Sequence, residues 1–135
     1  MLPSGLPRLV KDDEDLVRFL TQSNQFNATI VKPAAFLPSP KDQETSVFRH
    51  GKEPKDNLRK LGVLAAGGRS LYGVALFNAL SVRNARLEVA SDEPPPLHAV
   101  IRGWPWIERD QELQKARQKE LAALIASDAG PPILF

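Results

Sequence analysis

Histidine and arginine are the residues whose types and spacing could do chemistry in this sequence, which has two histidines and no cysteine. His50 follows Arg49 at the end of one predicted strand, and His98 and Arg102 lie on another. A guanidinium binds phosphate or carboxylate groups, and an imidazole moves protons near neutral pH. If these strands are neighbours, His50 and His98 are the candidate catalytic residues, and Arg49 and Arg102 are candidate ligand-binding residues. The alternative is a solvated His50 and a His98 that donates to a backbone carbonyl.

A second candidate anion site is the run Gly67-Gly68-Arg69-Ser70, which precedes a predicted helix. Backbone N–H groups at a helix N-terminus beside an arginine can bind an anion. Arg69 and the nearby Tyr72 are therefore added to the candidate ligand-binding residues. The run matches neither the phosphate-loop nor the dinucleotide-binding pattern, so a plain flexible turn is the alternative.

A basic stretch over residues 49–60 could contact a nucleic-acid backbone, with Trp104 and Trp106 as stacking platforms. The formal net charge of the chain is only +2, and nucleic-acid-binding domains usually carry a larger excess. Two tryptophans around a proline more often pack at a corner of a core. The sequence therefore argues against a nucleic-acid partner.

Nucleophilic hydrolase chemistry has no support from the spacing of residues. Ser46, Ser70 and Ser81 lie outside any G-x-S-x-G pattern. A Ser/His/Asp arrangement with His98 and Asp92 can be written down, but no motif indicates it.

The composition excludes several classes of site. Without cysteine there are no disulfides, thiolate nucleophiles or cysteine-bound metals, and the two histidines lack the spacing of metal ligands. We expect no metal and no cofactor. The longest apolar-rich stretch, over residues 71–80, is too short to cross a membrane, and the N-terminal residues do not resemble a signal peptide. We therefore expect a cytoplasmic protein without a membrane partner.

The elements that must position these residues predict a single α+β domain. We expect a mixed or antiparallel sheet of three to four strands, three to four helices, and a C-terminal amphipathic helix. The predicted helices cover about residues 12–20, 54–61, 71–82 and 111–126, and the predicted strands cover 28–31, 45–49, 85–90 and 97–102. A strand over 74–76 is the alternative to the third helix. The fourth helix is expected to bury Leu113, Ala116, Leu121, Leu124 and Ile125 and to expose Lys115, Gln118 and Lys119.

The chain divides into an extended lead-in over residues 1–10, the domain over 11–129, and an apolar tail over 130–135. We interpret Trp104, Trp106, Leu134 and Phe135 as candidate contacts for a protein partner. The favoured function is a protein-binding or accessory module. The alternative is an enzyme or sensor that binds a phosphate-bearing small molecule, such as a nucleotide, through an Arg/His pocket. The sequence decides neither whether the chain is an enzyme nor its oligomeric state.

Overall fold

The structure is a computed structural model that describes residues 2–49 and 53–135. His50 lies outside the described residues. The strands are β1 (Asp15–Leu20), β2 (Thr45–Arg49), β3 (Gly73–Asn78), β4 (Glu88–Ser91), β5 (His98–Arg102) and β6 (Ile133–Leu134). The helices are α1 (Lys55–Ala66), α2 (Ala79–Asn84) and α3 (Gln111–Asp128), and Ser23–Gln25 and Pro33–Ala35 form short 3-10 turns.

The described strands form one open sheet in the order β4-β5-β2-β1-β3-β6. Every pair of neighbouring strands in it is antiparallel. The predicted α+β class agrees with this architecture, but the predicted number of strands is wrong, because the sheet has six. Among the described residues, no helix combines the length and the apolar character needed to span a membrane.

The first of the extra strands is β1, where the sequence predicted a helix. Leu16 and Leu20 are buried on one face of the sheet, and Val17 and Phe19 are buried on the other. A central strand that is covered on both faces has apolar residues without a period of two, and such a run is easily mistaken for a helix. The predicted strand at 28–31 is instead a loop with one isolated bridge, from Phe26 to Val31.

The prediction of a buried helix over 71–82 is also wrong up to Asn78, where the alternative prediction of a strand over 74–76 is correct. This segment is strand β3 up to Asn78, and helix α2 begins directly after it. The Asn78 side chain accepts a hydrogen bond of 2.9 Å from the Ser81 N–H and so caps the helix. The last extra strand, β6, is formed by the apolar tail and pairs with β3.

The two faces of the sheet are covered by different helices. We call one the α3 face: Leu16, Val47 and Ile101 pack there among a core that includes Ala122 and Ile125 of α3. We call the other the α1 face, where Leu58 of α1 joins a cluster with Val17, Phe19, Phe48 and Val74. Side chains that alternate along β2 and β5 therefore point to different environments.

The buried face of helix α3 agrees only in part with the predicted one: Ile125 is buried as predicted, but Gln118 is buried rather than exposed. Its buried residues are Gln114, Gln118, Ala122 and Ile125, whereas Leu113 and Leu124 are 41% and 52% exposed. The two glutamines are inside because they bond main-chain groups: the Ile107 N–H donates to Gln114, and Gln118 donates to the Pro105 carbonyl. Polar side chains with such partners can occupy a buried stripe.

Candidate active site

Strands β2 and β5 place a serine and a histidine side by side on the α1 face. In their antiparallel register Phe48 lies opposite His98, and Ser46 lies opposite Val100. Residues two apart on a strand share a face, so Ser46 and His98 are diagonal neighbours. The Ser46 hydroxyl oxygen is 2.7 Å from His98 Nε2. Ser46 is exposed and the His98 side chain is 15% exposed, so the pair lies at the surface.

The second nitrogen of His98 is held by Asp92, which lies just beyond β4. Nδ1 is 3.0 Å from the Asp92 main-chain oxygen and 3.3 Å from Asp92 Oδ2. A main-chain carbonyl only accepts hydrogen bonds, so neutral His98 carries its proton on Nδ1. Nε2 then has a free lone pair and accepts a hydrogen bond from Ser46. The ring of Phe48, 5.2 Å away edge-on, restricts the imidazole further.

Ser46, His98 and Asp92 therefore stand in the order of a nucleophile, a base and the group that orients the base. This geometry allows a hydroxyl to give up its proton while its oxygen attacks an electrophile. The strands supply two of the three residues, and the turn between β4 and β5 supplies the third. The Asp92 N–H donates to the His98 carbonyl at 2.9 Å, which fixes this turn against β5.

A small depression with two arginines adjoins Ser46. It has a volume of about 40 Å³, against the 10–15 Å³ that one water molecule needs, so it suits a small polar group. We call it the arginine pocket. Its lining residues are Arg18, Phe19, Thr21, Ser46, Phe48, Ala65, Ala66 and Arg69.

Arg18 reaches the arginine pocket where β1 and β2 stop pairing. Its Nε donates to the Ala35 carbonyl at 2.8 Å, and its Nη1 donates to the Ser46 carbonyl at 2.9 Å. Burial, together with the positive charge of Arg69, lowers the pKa of Arg18 to about 10. The group is still charged at neutral pH, so two cations share this site.

Arg69 also bonds only main-chain groups in the part of the chain that the structure describes. Its guanidinium donates to the carbonyls of Ala65 and Ala66 at the end of α1. The ion pairs of residues 2–49 and 53–135 include neither Arg69 nor Arg18. The arginine pocket thus carries positive charge that no described carboxylate neutralises.

Arg49 lies on the α3 face, away from His98. It is 1% exposed and forms a two-pronged ion pair with Glu14, with bonds of 2.8 and 2.9 Å. It also donates to the Pro7 carbonyl and to the Ser91 hydroxyl. The structure therefore does not bring Arg49 and His98 into one pocket, and Arg49 instead ties the N-terminal segment to the sheet.

The other sequence-predicted ligand residues are spread over the surface. Arg102 lies on the α1 face, two positions from Val100 and opposite Glu88 on the edge strand. Tyr72 precedes β3, packs against Phe26 at 5.5 Å and does not line the arginine pocket. Of the predicted residues that the structure describes, His98 and Arg69 are thus the two that flank Ser46.

The four predicted partner contacts also have different environments. Trp104 is buried in the core at 6% exposure, whereas Trp106 is 58% exposed. Leu134 belongs to β6, and Phe135 packs against the cluster of the α1 face. Trp106 lines a depression of about 440 Å³, which we call the tryptophan groove; its other lining residues are Leu37, Pro38, Pro40, Gln43, Gln111, Gln114, Lys115, Gln118 and Lys119.

From the sequence, a Ser/His/Asp arrangement with His98 and Asp92 was considered but not favoured, Ser46 was not joined to it, and Arg18 was missed. The alternation in β2 does place Ser46 on the face of Phe48, but the pairing register with β5 was needed to bring it to His98. Arg18 was hidden by the helix prediction for residues 12–20. In comparisons with known proteins, no family model, no curated protein and no solved structure matches this chain.

Proposed function

We propose that this chain is a serine-dependent hydrolase of a small ester. The observation that carries the proposal is the 2.7 Å contact between the Ser46 hydroxyl and His98 Nε2, with Nδ1 already held by Asp92. An exposed hydroxyl beside an oriented, unprotonated imidazole nitrogen is the combination that nucleophilic catalysis requires.

The reaction proceeds in two steps at Ser46. Its oxygen forms a bond to the electrophilic centre of the ester while its proton passes to His98 Nε2, the bond from that centre to the alcohol oxygen breaks, and the alcohol oxygen takes a proton from solvent. Water then attacks the modified serine and loses a proton to solvent, the bond from the electrophilic centre to the Ser46 oxygen breaks, and His98 returns the proton to that oxygen. Asp92 stabilises the positively charged imidazole between the steps. The adjacent arginine pocket supplies positive charge where negative charge develops.

Hydrolysis of p-nitrophenyl acetate and p-nitrophenyl phosphate tests the proposal. Ser46→Ala and His98→Gln should each lower kcat/KM by at least about 10³-fold. Asp92→Asn should lower it less than His98→Gln, because the Asp92 main-chain oxygen still holds Nδ1. Ser127→Ala, a matched change at an exposed serine, should leave the rate unchanged. A Ser46→Ala protein that hydrolyses both esters at the wild-type rate contradicts the proposal.

We propose protein binding as a second function, located at the tryptophan groove. Trp106 is 58% exposed beside two prolines and two lysines, and exposed aromatic residues are enriched at interfaces. The positive charge of Lys115 and Lys119 favours an acidic peptide segment as the occupant.

Titration with an alternating Glu-Leu peptide, followed by isothermal titration calorimetry, tests this second function. We expect the Glu-Leu peptide to bind more tightly than a Gln-Leu peptide of the same length, and Trp106→Ala to remove binding. Equal affinity for the two peptides contradicts the proposal. We further propose a cytoplasmic location, which the absence of cysteine supports.

A further inference from the structure

We propose that the group that Ser46 attacks is the phosphoryl group of a phosphate monoester, which Arg18 and Arg69 bind in the arginine pocket. This proposal rests on the proposed hydrolase function and names its substrate class. Arg18, Arg69 and Thr21 line the pocket together with Ser46. Guanidinium and hydroxyl groups are hydrogen-bond donors, and such donors match the oxygens of a phosphoryl group.

The charges of the pocket are the first argument. Arg18 and Arg69 repel each other, and their hydrogen bonds within the described residues go only to main-chain carbonyls. A bound dianion replaces this repulsion by attraction to both groups. An acyl group is neutral and gains less from the two guanidiniums.

The dimensions of the pocket are the second argument. A volume of about 40 Å³ suits a small head group. Because Ser46 is exposed, the rest of the substrate extends into solvent. The site therefore recognises the phosphoryl group itself.

The chemical step follows from this placement. Ser46 Oγ forms a bond to phosphorus as its proton passes to His98, the bond from phosphorus to the alcohol oxygen breaks, and that oxygen takes a proton from solvent. Water then attacks the phosphoserine and loses one proton to solvent. Ser46 leaves phosphorus and regains its proton from His98, so that inorganic phosphate and the free alcohol are the products.

Phosphate binding to the Ser46→Ala protein separates recognition from catalysis. Inorganic phosphate should raise its Tm above the value in sodium chloride of equal ionic strength, since a ligand that binds only the folded state stabilises it. Arg69→Gln in this background should weaken phosphate binding by at least about tenfold, the loss expected for a charged hydrogen bond. Lys60→Gln removes the same charge from an exposed site on α1 and should weaken binding less than about twofold.

Three results distinguish the two proposals. The phosphoryl assignment is overturned if phosphate does not raise the Tm, or if Arg69→Gln and Lys60→Gln weaken phosphate binding equally. If Ser46 hydrolyses p-nitrophenyl acetate and Arg69→Gln does not change the rate, the phosphoryl assignment is also overturned, but the hydrolase function stands. Phosphate binding together with full hydrolysis by Ser46→Ala keeps the anion site but removes Ser46 as the nucleophile. Arg69 is chosen over Arg18 because Arg18 also joins Ala35 to Ser46 and its loss can prevent folding.

Discussion

Removal of the Glu14 carboxylate should destabilise the fold strongly through Arg49. In Glu14→Ala the Arg49 guanidinium loses two of its hydrogen bonds and its carboxylate partner, while the Arg49 side chain remains only 1% exposed. Removing one partner of a buried ion pair lowers the free energy of unfolding by about 3–5 kcal/mol, because the other charge is left buried and unpaired. Because Glu14 is 22% exposed, water reaches the vacated position, and we expect about 3 kcal/mol. With about 4 °C lost per kcal/mol for a chain of this size, Tm should fall by roughly 12 °C.

Thermal and urea unfolding followed by circular dichroism measures this loss, and two controls identify its cause. Glu88→Ala removes one of the two exposed acidic partners of Arg83 and should cost about 1 kcal/mol or less. The double variant Glu14→Leu with Arg49→Met leaves no unpaired charge and should be more stable than Glu14→Ala. A fall in Tm of less than about 3 °C for Glu14→Ala, or a double variant less stable than the single one, refutes the reasoning.

Three further predictions concern the tail, the N-terminal segment and the exposed tryptophan. Gly73→Ala places a Cβ against the main-chain oxygen of Ile133, so β6 should detach, with a loss of about 1–3 kcal/mol and proteolysis of the tail. Desolvation acts to raise the pKa of Glu93. Hydrogen bonds from Ser4 outweigh this effect and lower the pKa below its ordinary value of 4.5. The ionised Glu93 carboxylate therefore stabilises the fold above that pH, and this stabilisation is lost as pH falls through the lowered pKa. In unfolding experiments, the Glu93→Gln protein should lose less stability on acidification than the wild type. Trp106→Ala should change stability by less than about 0.5 kcal/mol and shift the fluorescence maximum to shorter wavelength.

The strands that the sequence predicted correctly carry their own local signal. β2 and β5 combine residues of high strand propensity with turn residues at one end, and both were predicted close to their observed bounds. β1 and β3 were predicted as helices because their burial depends on pairing with each other over six positions. Such long-range pairing leaves no local period in the sequence. The strand β6 has two residues and exists only through its contact with β3.

The candidate site was predictable only in part, for the same reason. His98 and Arg69 were identified by residue type, since imidazoles and guanidiniums are informative wherever they occur. Ser46 was not, because a serine becomes a nucleophile through its neighbours and the register of two strands supplies them. Arg49 has the residue type of a ligand-binding group, but burial with Glu14 directs it to the core.

Covalent labelling with a fluorophosphonate probe, followed by peptide mass spectrometry, tests the central claim most directly. We predict one modified residue, Ser46, with labelling abolished by His98→Gln and unchanged by Ser127→Ala. The label should also form more slowly when inorganic phosphate occupies the arginine pocket. A folded protein in which Ser46 remains unmodified, or in which His98→Gln is labelled as fast as the wild type, would contradict the account.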